Sequence, residues 1–198
     1  MNIKKIFHFS IGPIGAALLG ILTVPILAWS FSPEDIGRFT VLQIIMSFSC
    51  ILFTMGLDQS YVREYHESPD EAVLFKTVLI APLVIFSLFI IIFLNNIILI
   101  SEKSYQINSS YLSWITILGV LLTILLRYIS LTIRMQERGL LYSVSQLTPK
   151  LLLLFLIFLM YIFDWIDKSF YTLITIQVSS LFLIFLIFLI FRVAKTLI

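Results

Sequence analysis

The sequence predicts an all-α integral membrane protein with six transmembrane helices, and three observations carry that prediction. Apolar runs recur at residues 6–31, 39–57, 73–100, 111–133, 140–163 and 170–191, against the ~20 apolar residues that a helix needs to cross a bilayer core. Mean hydropathy is +1.08. Of the 198 residues, 60% are hydrophobic and 12% charged, where a soluble domain carries about 25% charged residues. The connections between runs are too short to build a soluble domain or an active site of their own.

Start and stop signals extend these runs to helices at about 6–31, 33–62, 69–100, 110–135, 140–163 and 169–191, a single bundle over 1–198. The first helix holds Pro13 and Pro25, each of which interrupts the hydrogen-bond ladder. It also sets Gly12, Ala16 and Gly20 at four-residue spacing, a small-residue stripe that lets a neighbour approach closely in lipid. Ser32-Pro33-Glu34-Asp35 opens the second helix with a capping Ser, a first-turn Pro and acids at the positive end of the dipole. Gly56, near its end, can kink or stop it. Ser68-Pro69-Asp70-Glu71 repeats the signal for the third helix, which Pro82 bends. Asn108-Ser109-Ser110 can cap the fourth. Gly139 separates fourth from fifth, and Pro149 lies within the fifth. Asp164–Ser169 precedes the sixth, with Trp165 as an interfacial anchor.

Lys and Arg counts orient the bundle. With the N-terminus cytoplasmic, that side collects Lys4, Lys5, Arg63, Lys76, Arg134, Arg138, Arg192 and Lys195, while Arg38, Lys103 and Lys168 fall outside. The positive-inside bias therefore predicts a multi-pass membrane protein with both termini cytoplasmic.

Charges at membrane depth face a cavity or a partner. Lys150 lies about ten residues inside the fifth helix, some 15 Å from its cytoplasmic end. It is either a transport-path cation or an amine that snorkels from a helix starting beside it. That late start would leave 13 apolar residues before Asp164, short of a span. Arg127, Arg134 and Arg138 form a basic stripe rising from the cytoplasm, suited to topology anchoring or to a phosphate or pyrophosphate. Asp58 and Arg63 follow Gly56 and are approximate helix neighbours, a solvated pair or part of a transport path. Gln43, Gln146, Ser47, Ser113, Thr116 and Thr123 read as helix-packing groups. His8 and His66 read as interfacial, and Cys50 is a lone thiol in an apolar run. No metal-ligand spacing, GxSxG, P-loop or HExxH pattern is present, so neither metal nor cofactor is expected. A net charge of +2 gives nucleic-acid binding no support.

The amino-terminal quarter resembles the opening of the O-antigen and polysaccharide repeat-unit flippases. These are a branch of the multidrug/oligosaccharidyl-lipid/polysaccharide exporter superfamily. Three segments carry the likeness: a glycine-bearing first helix ending in TVPILAWSF (Thr23–Phe31), SPEDIGRF (Ser32–Phe39) and GLDQSYVRE (Gly56–Glu64). RMQERGLLYSVSQLTPKLL (Arg134–Leu152) is compatible with it. The resemblance implies a transporter rather than an enzyme, which moves undecaprenyl-pyrophosphate-linked oligosaccharide across the membrane. It also implies a MATE-like fold of two six-helix lobes around a cationic cavity, to which Arg127, Lys150 and Arg63 would contribute. Six helices here correspond to one amino-terminal lobe, so a second six-helix half or a homodimer is expected as partner. The competing readings are an antiporter for small cationic compounds, which would need a deep acid, a membrane enzyme, and a truncated non-transporting relic.

Overall fold

The computed structural model describes residues 3–163 and 168–196, with side chains at 7–160 and 168–190. Among the described residues eight α-helices follow one another. They are α1 (Ile3–Ser30), α2 (Pro33–Thr54), α3 (Leu57–Glu64), α4 (Glu71–Phe93), α5 (Ile98–Tyr105), α6 (Ser110–Met135), α7 (Gly139–Phe163) and α8 (Phe170–Thr196), with a 3-10 turn at Leu94–Asn96. Six of them, α1, α2, α4, α6, α7 and α8, are long and apolar enough to cross a bilayer. The protein is thus an all-α membrane protein. Of the connection expected at Asp164–Ser169, residues 164–167, including Trp165, lie outside the described residues.

Two expected helices are divided. The second stops at Thr54, because Met55 (φ 47°) and Gly56 (φ 80°) both take the left-handed conformation. The Met55 N–H closes the last turn onto the Ile51 carbonyl at 3.1 Å, and α3 begins at Leu57. Glycine suits such a position because it has no Cβ to clash. The third stops at Phe93. The Asn95-Asn96 pair, a residue type that disfavours helix interiors, lies in the tighter turn, and α5 follows as a separate short helix.

Local chemistry explains the starts. The Ser32 Oγ accepts from the Asp35 N–H at 3.2 Å and donates to its carboxylate at 2.7 Å. Before α4 the cap is Asp70 rather than Ser68. Its extended backbone (φ −136°, ψ 104°) aims the carboxylate at the Ala72 and Val73 N–H groups, at 2.8 and 3.2 Å. Ser68 stands too far back to reach them. Ser109 caps α6. The turn between α6 and α7 is made by Glu137 (φ 57°), not by Gly139. Gly139 instead opens α7 where a Cβ would stand 3.0 Å from the Phe9 ring and 3.1 Å from the His8 Cβ. Pro13, Pro25, Pro82 and Pro149 all lie inside continuous helices.

The centre of the bundle is α6. Leu112, Ile124 and Tyr128 are fully buried, and α6 packs on α2, α3, α5, α7 and α8. By contrast α1 packs almost wholly along α7. At Gly12 a Cβ would come within 2.6 Å of the Ser143 Cα, and at Gly15 within 2.6 Å of a Leu147 methyl. The outward faces of α1, α2 and α4 expose large apolar side chains such as Leu18, Ile44 and Ile91, as a lipid-facing surface does. At the end where α2 begins, Arg38 ties α2 to α5. It pairs with Glu34 (2.7 Å) and Asp35 (3.7 Å), and its Nε donates to the Tyr105 carbonyl at 3.1 Å. Burial pushes the Tyr105 phenol up to about 12, so it remains a neutral hydrogen-bonding group to Thr116 at 2.9 Å.

Candidate functional site

The break at Met55-Gly56 places Asp58 in the first turn of α3, where the positive end of the helix dipole meets its carboxylate. Asp58 is largely buried, with 12% of its side chain exposed, and accepts from Arg127 Nη2 at 2.9 Å. Its other oxygen accepts from the Gln59 N–H at 3.1 Å. Arg127 lies eight residues before the end of α6 at Met135, about 12 Å along the axis. Its side chain is 54% exposed. One N–H is committed to Asp58, which leaves further donors of the fork for a second anion. The pair joins residues that lie 69 apart in sequence.

Arg63 is not the partner of Asp58. Five residues along a helix turn the side chain by about 140°, and Arg63 is exposed in the last turn of α3. The basic stripe also shortens. Arg134 is exposed in the last turn of α6, but α6 ends at Met135, so Arg138 falls in the connection to α7.

Tyr128, next to Arg127, is a feature that sequence reading misses. It is fully buried, and its hydroxyl has no hydrogen-bond partner among the described residues. It sits within electrostatic reach of Asp58, Cys50 and Arg127. A tyrosine in a span otherwise reads as interfacial, so the sequence carried no signal for it. One turn further on, Tyr61 of α3 and Thr132 of α6 share a hydrogen bond at 3.1 Å. Beyond α3, Tyr65 donates to Glu71 at 2.6 Å, and burial together with that carboxylate pushes its phenol well above the ordinary range.

A second cationic point lies on the α1–α7 seam. The half-buried Lys150 donates from Nζ to the Ala16 carbonyl at 2.6 Å. Gly20 opens the space, since a Cβ there would stand 3.2 Å from the amine. One turn and more along the seam, the Ser143 hydroxyl donates to the His8 carbonyl and accepts from the Gly12 N–H at 3.0 Å. These are two backbone groups that a helix ordinarily joins to each other. The stripe Gly12, Ala16, Gly20 thus receives Ser143 and Lys150, which are seven residues apart on α7. Polar groups elsewhere tie helices together: Gln43 to Gln177 at 3.2 Å, Gln146 to Ser130 at 3.0 Å and Ser113 to the Ser101 N–H at 3.2 Å.

The two cationic points differ in how their charge is held. Arg127 is neutralised by a carboxylate and half-exposed, whereas Lys150 leans on a backbone carbonyl and has no carboxylate partner among the described residues. A family model described as polysaccharide biosynthesis protein matches residues 3–196, all but the first two and last two positions. No curated protein and no solved structure matches the chain.

Proposed function

The chain belongs to the polysaccharide biosynthesis protein family, and we propose from that premise that it moves polyprenyl-pyrophosphate-linked oligosaccharide across the cytoplasmic membrane of a bacterium. The reading includes a second six-helix body, either another copy or a complementary half, facing this one across a cavity. It places both termini in the cytoplasm, consistent with the Lys and Arg distribution. Transport of this kind makes and breaks no covalent bond. What it asks of the chain is a cationic point for the pyrophosphate, bent or broken helices that can rock, and a lipid face for the polyprenyl tail.

The observation that best supports the reading, besides the family match, is Arg127. A half-exposed arginine at membrane depth can keep its bond to Asp58 and offer the remaining donors of its fork to a phosphate, so that neither charge is left unpaired. Lys150 is a secondary candidate, since its amine can release a neutral carbonyl more readily than an ion pair. Arg63 serves as an outlying cation on the cytoplasmic rim. An antiporter for small cations would need a deep acid free to bind them, and Asp58, the buried acid here, is already neutralised by Arg127.

The test is complementation of a strain that lacks its repeat-unit flippase, with the chain alone and with a co-expressed second lobe. Restored surface polysaccharide is expected, and Arg127→Gln should reduce it about tenfold or more, the scale of one lost charge-assisted contact to a phosphate. Lys150→Met should reduce it less. Cytoplasmic accumulation of the lipid-linked unit despite good membrane expression of both bodies would overturn the reading.

A further inference from the structure

A groove of about 440 Å³ runs between α2, α4, α5 and α6. Its interior is aromatic and aliphatic, with Phe86, Phe89 and Phe93 of α4 facing Ile45 of α2. Phe53 closes the deep end by edge-on contacts with Phe86 and Phe89, at 5.2 and 5.5 Å between ring centres. At the other end Lys103 and Ser104 of α5 bring an ammonium and a hydroxyl to the wall. Among the described residues no carboxylate lines the groove; Glu102, beside Lys103 on α5, is exposed and is not part of the wall. Lys103 is exposed and makes no ion pair among the described residues, whereas Arg38, at the same end, is spent on Glu34, Asp35 and the Tyr105 carbonyl.

From this distribution we infer that the groove holds a membrane phospholipid with an anionic headgroup, its acyl chain among the phenylalanines and its phosphate at Lys103 and Ser104. An apolar slot with a cation at its membrane-surface end is complementary to one kind of ligand, an amphiphile whose charge is negative and whose body is hydrocarbon. A soluble phosphate would have no use for the aromatic interior. A neutral lipid would leave the ammonium unpaired. None of Arg127, Asp58 and Lys150 lines the groove, so this lipid site stands or falls apart from the transport reading. An occupied groove would also brace α4, whose contact with the rest of the bundle is slight over much of its length.

The full chain in mild detergent is offered an equimolar mixture of phosphatidylglycerol and phosphatidylcholine, and retained lipid is read by native mass spectrometry. Phosphatidylglycerol should be kept about fivefold over phosphatidylcholine, one interfacial cation's worth of preference. Lys103→Gln, an exposed substitution that leaves the packing alone, should bring the two lipids level without abolishing retention. Ser49→Trp, which fills the slot from α2, should abolish retention of both while thermal melting shows the protein folded. Equal retention by the unaltered chain would overturn the inference. So would displacement of the lipid by glycerol phosphate alone, or a Lys103→Gln variant that keeps the original preference.

Discussion

Along α1 and α7 the closest approach is made by the main chain. A Cβ added at Gly12 would meet the Ser143 Cα at 2.6 Å, and the polar links run from the Ser143 hydroxyl and the Lys150 amine to backbone groups of α1. Around α6 the contact is made by large side chains instead. Leu112, Ile124 and Tyr128 are wholly covered, and a Cβ added at Gly119 there would meet the flexible end of Met46 at 3.3 Å and a Val178 methyl at 3.1 Å. Lipid tails are as apolar as leucine, so helices in a bilayer associate through packing and polar contacts, not through a drive to leave water. One interface meets that requirement by subtracting atoms and the other by interlocking them.

The sharpest way to break the contrast is Gly12→Val. Its added carbons meet backbone, which cannot swing away, and destabilisation of about 3 kcal/mol is expected from overpacking, read as loss of α1–α7 cysteine cross-linking and a lower melting temperature in detergent. Gly20→Ala, on the same stripe, meets the end of a flexible amine at 3.2 Å and should cost less than about 1 kcal/mol. Equal costs at the two positions would show that backbone contact is not what distinguishes this seam.

Next in size is the ion pair that ties α3 to the α6 hub. Arg127→Ala should destabilise by about 2–3 kcal/mol, because it strands a largely buried carboxylate, while Arg127→Ala combined with Asp58→Ala should recover much of that loss. Additive losses in the double variant would mean that the two side chains are not coupled. At the α2–α3 break, Gly56→Ala should cost about 1 kcal/mol through its left-handed backbone alone, since open space surrounds it. Helix content by circular dichroism should then stay constant while stability falls.

The smallest effects compare two hydroxyls. Ser143→Ala removes a bridge between helices and should cost about 0.6 kcal/mol, the typical size of a polar contact in a bilayer. Tyr128→Phe removes a hydroxyl with no partner among the described residues and should be neutral or slightly stabilising. A clear loss at Tyr128→Phe would reveal a bond that this conformation does not make, and would bring the residue into the working site beside Arg127.

Sequence reading located the six apolar helices and the small-residue stripe on α1, and named Arg127, Asp58 and Lys150 as the charged residues of interest. It joins Asp58 with Arg63, because the two lie close in sequence, and extends the basic stripe to Arg138 by four-residue spacing, although the helix bound at 135 stops short of that residue. It ran the second helix through Met55, since a methionine gives no sign that its φ will be positive. Nothing in the sequence around Tyr128 and Ser143 marks the buried hydroxyl of the one or the bridging hydroxyl of the other.

By itself the sequence determined the solvent, the number of long apolar helices and most of the caps. Transfer into lipid is a property of a stretch's own side chains, and a cap is a contact between residues two or three apart. The tertiary structure alone decided that α6 stands at the centre, that Asp58 turns to a guanidinium 69 residues away, and that Lys150 spends its amine on α1. Helices that are apolar on every side carry no periodic mark of which face turns inward. Rotation and crossing are therefore set by where neighbouring surfaces can approach, and a linear pattern does not contain that information.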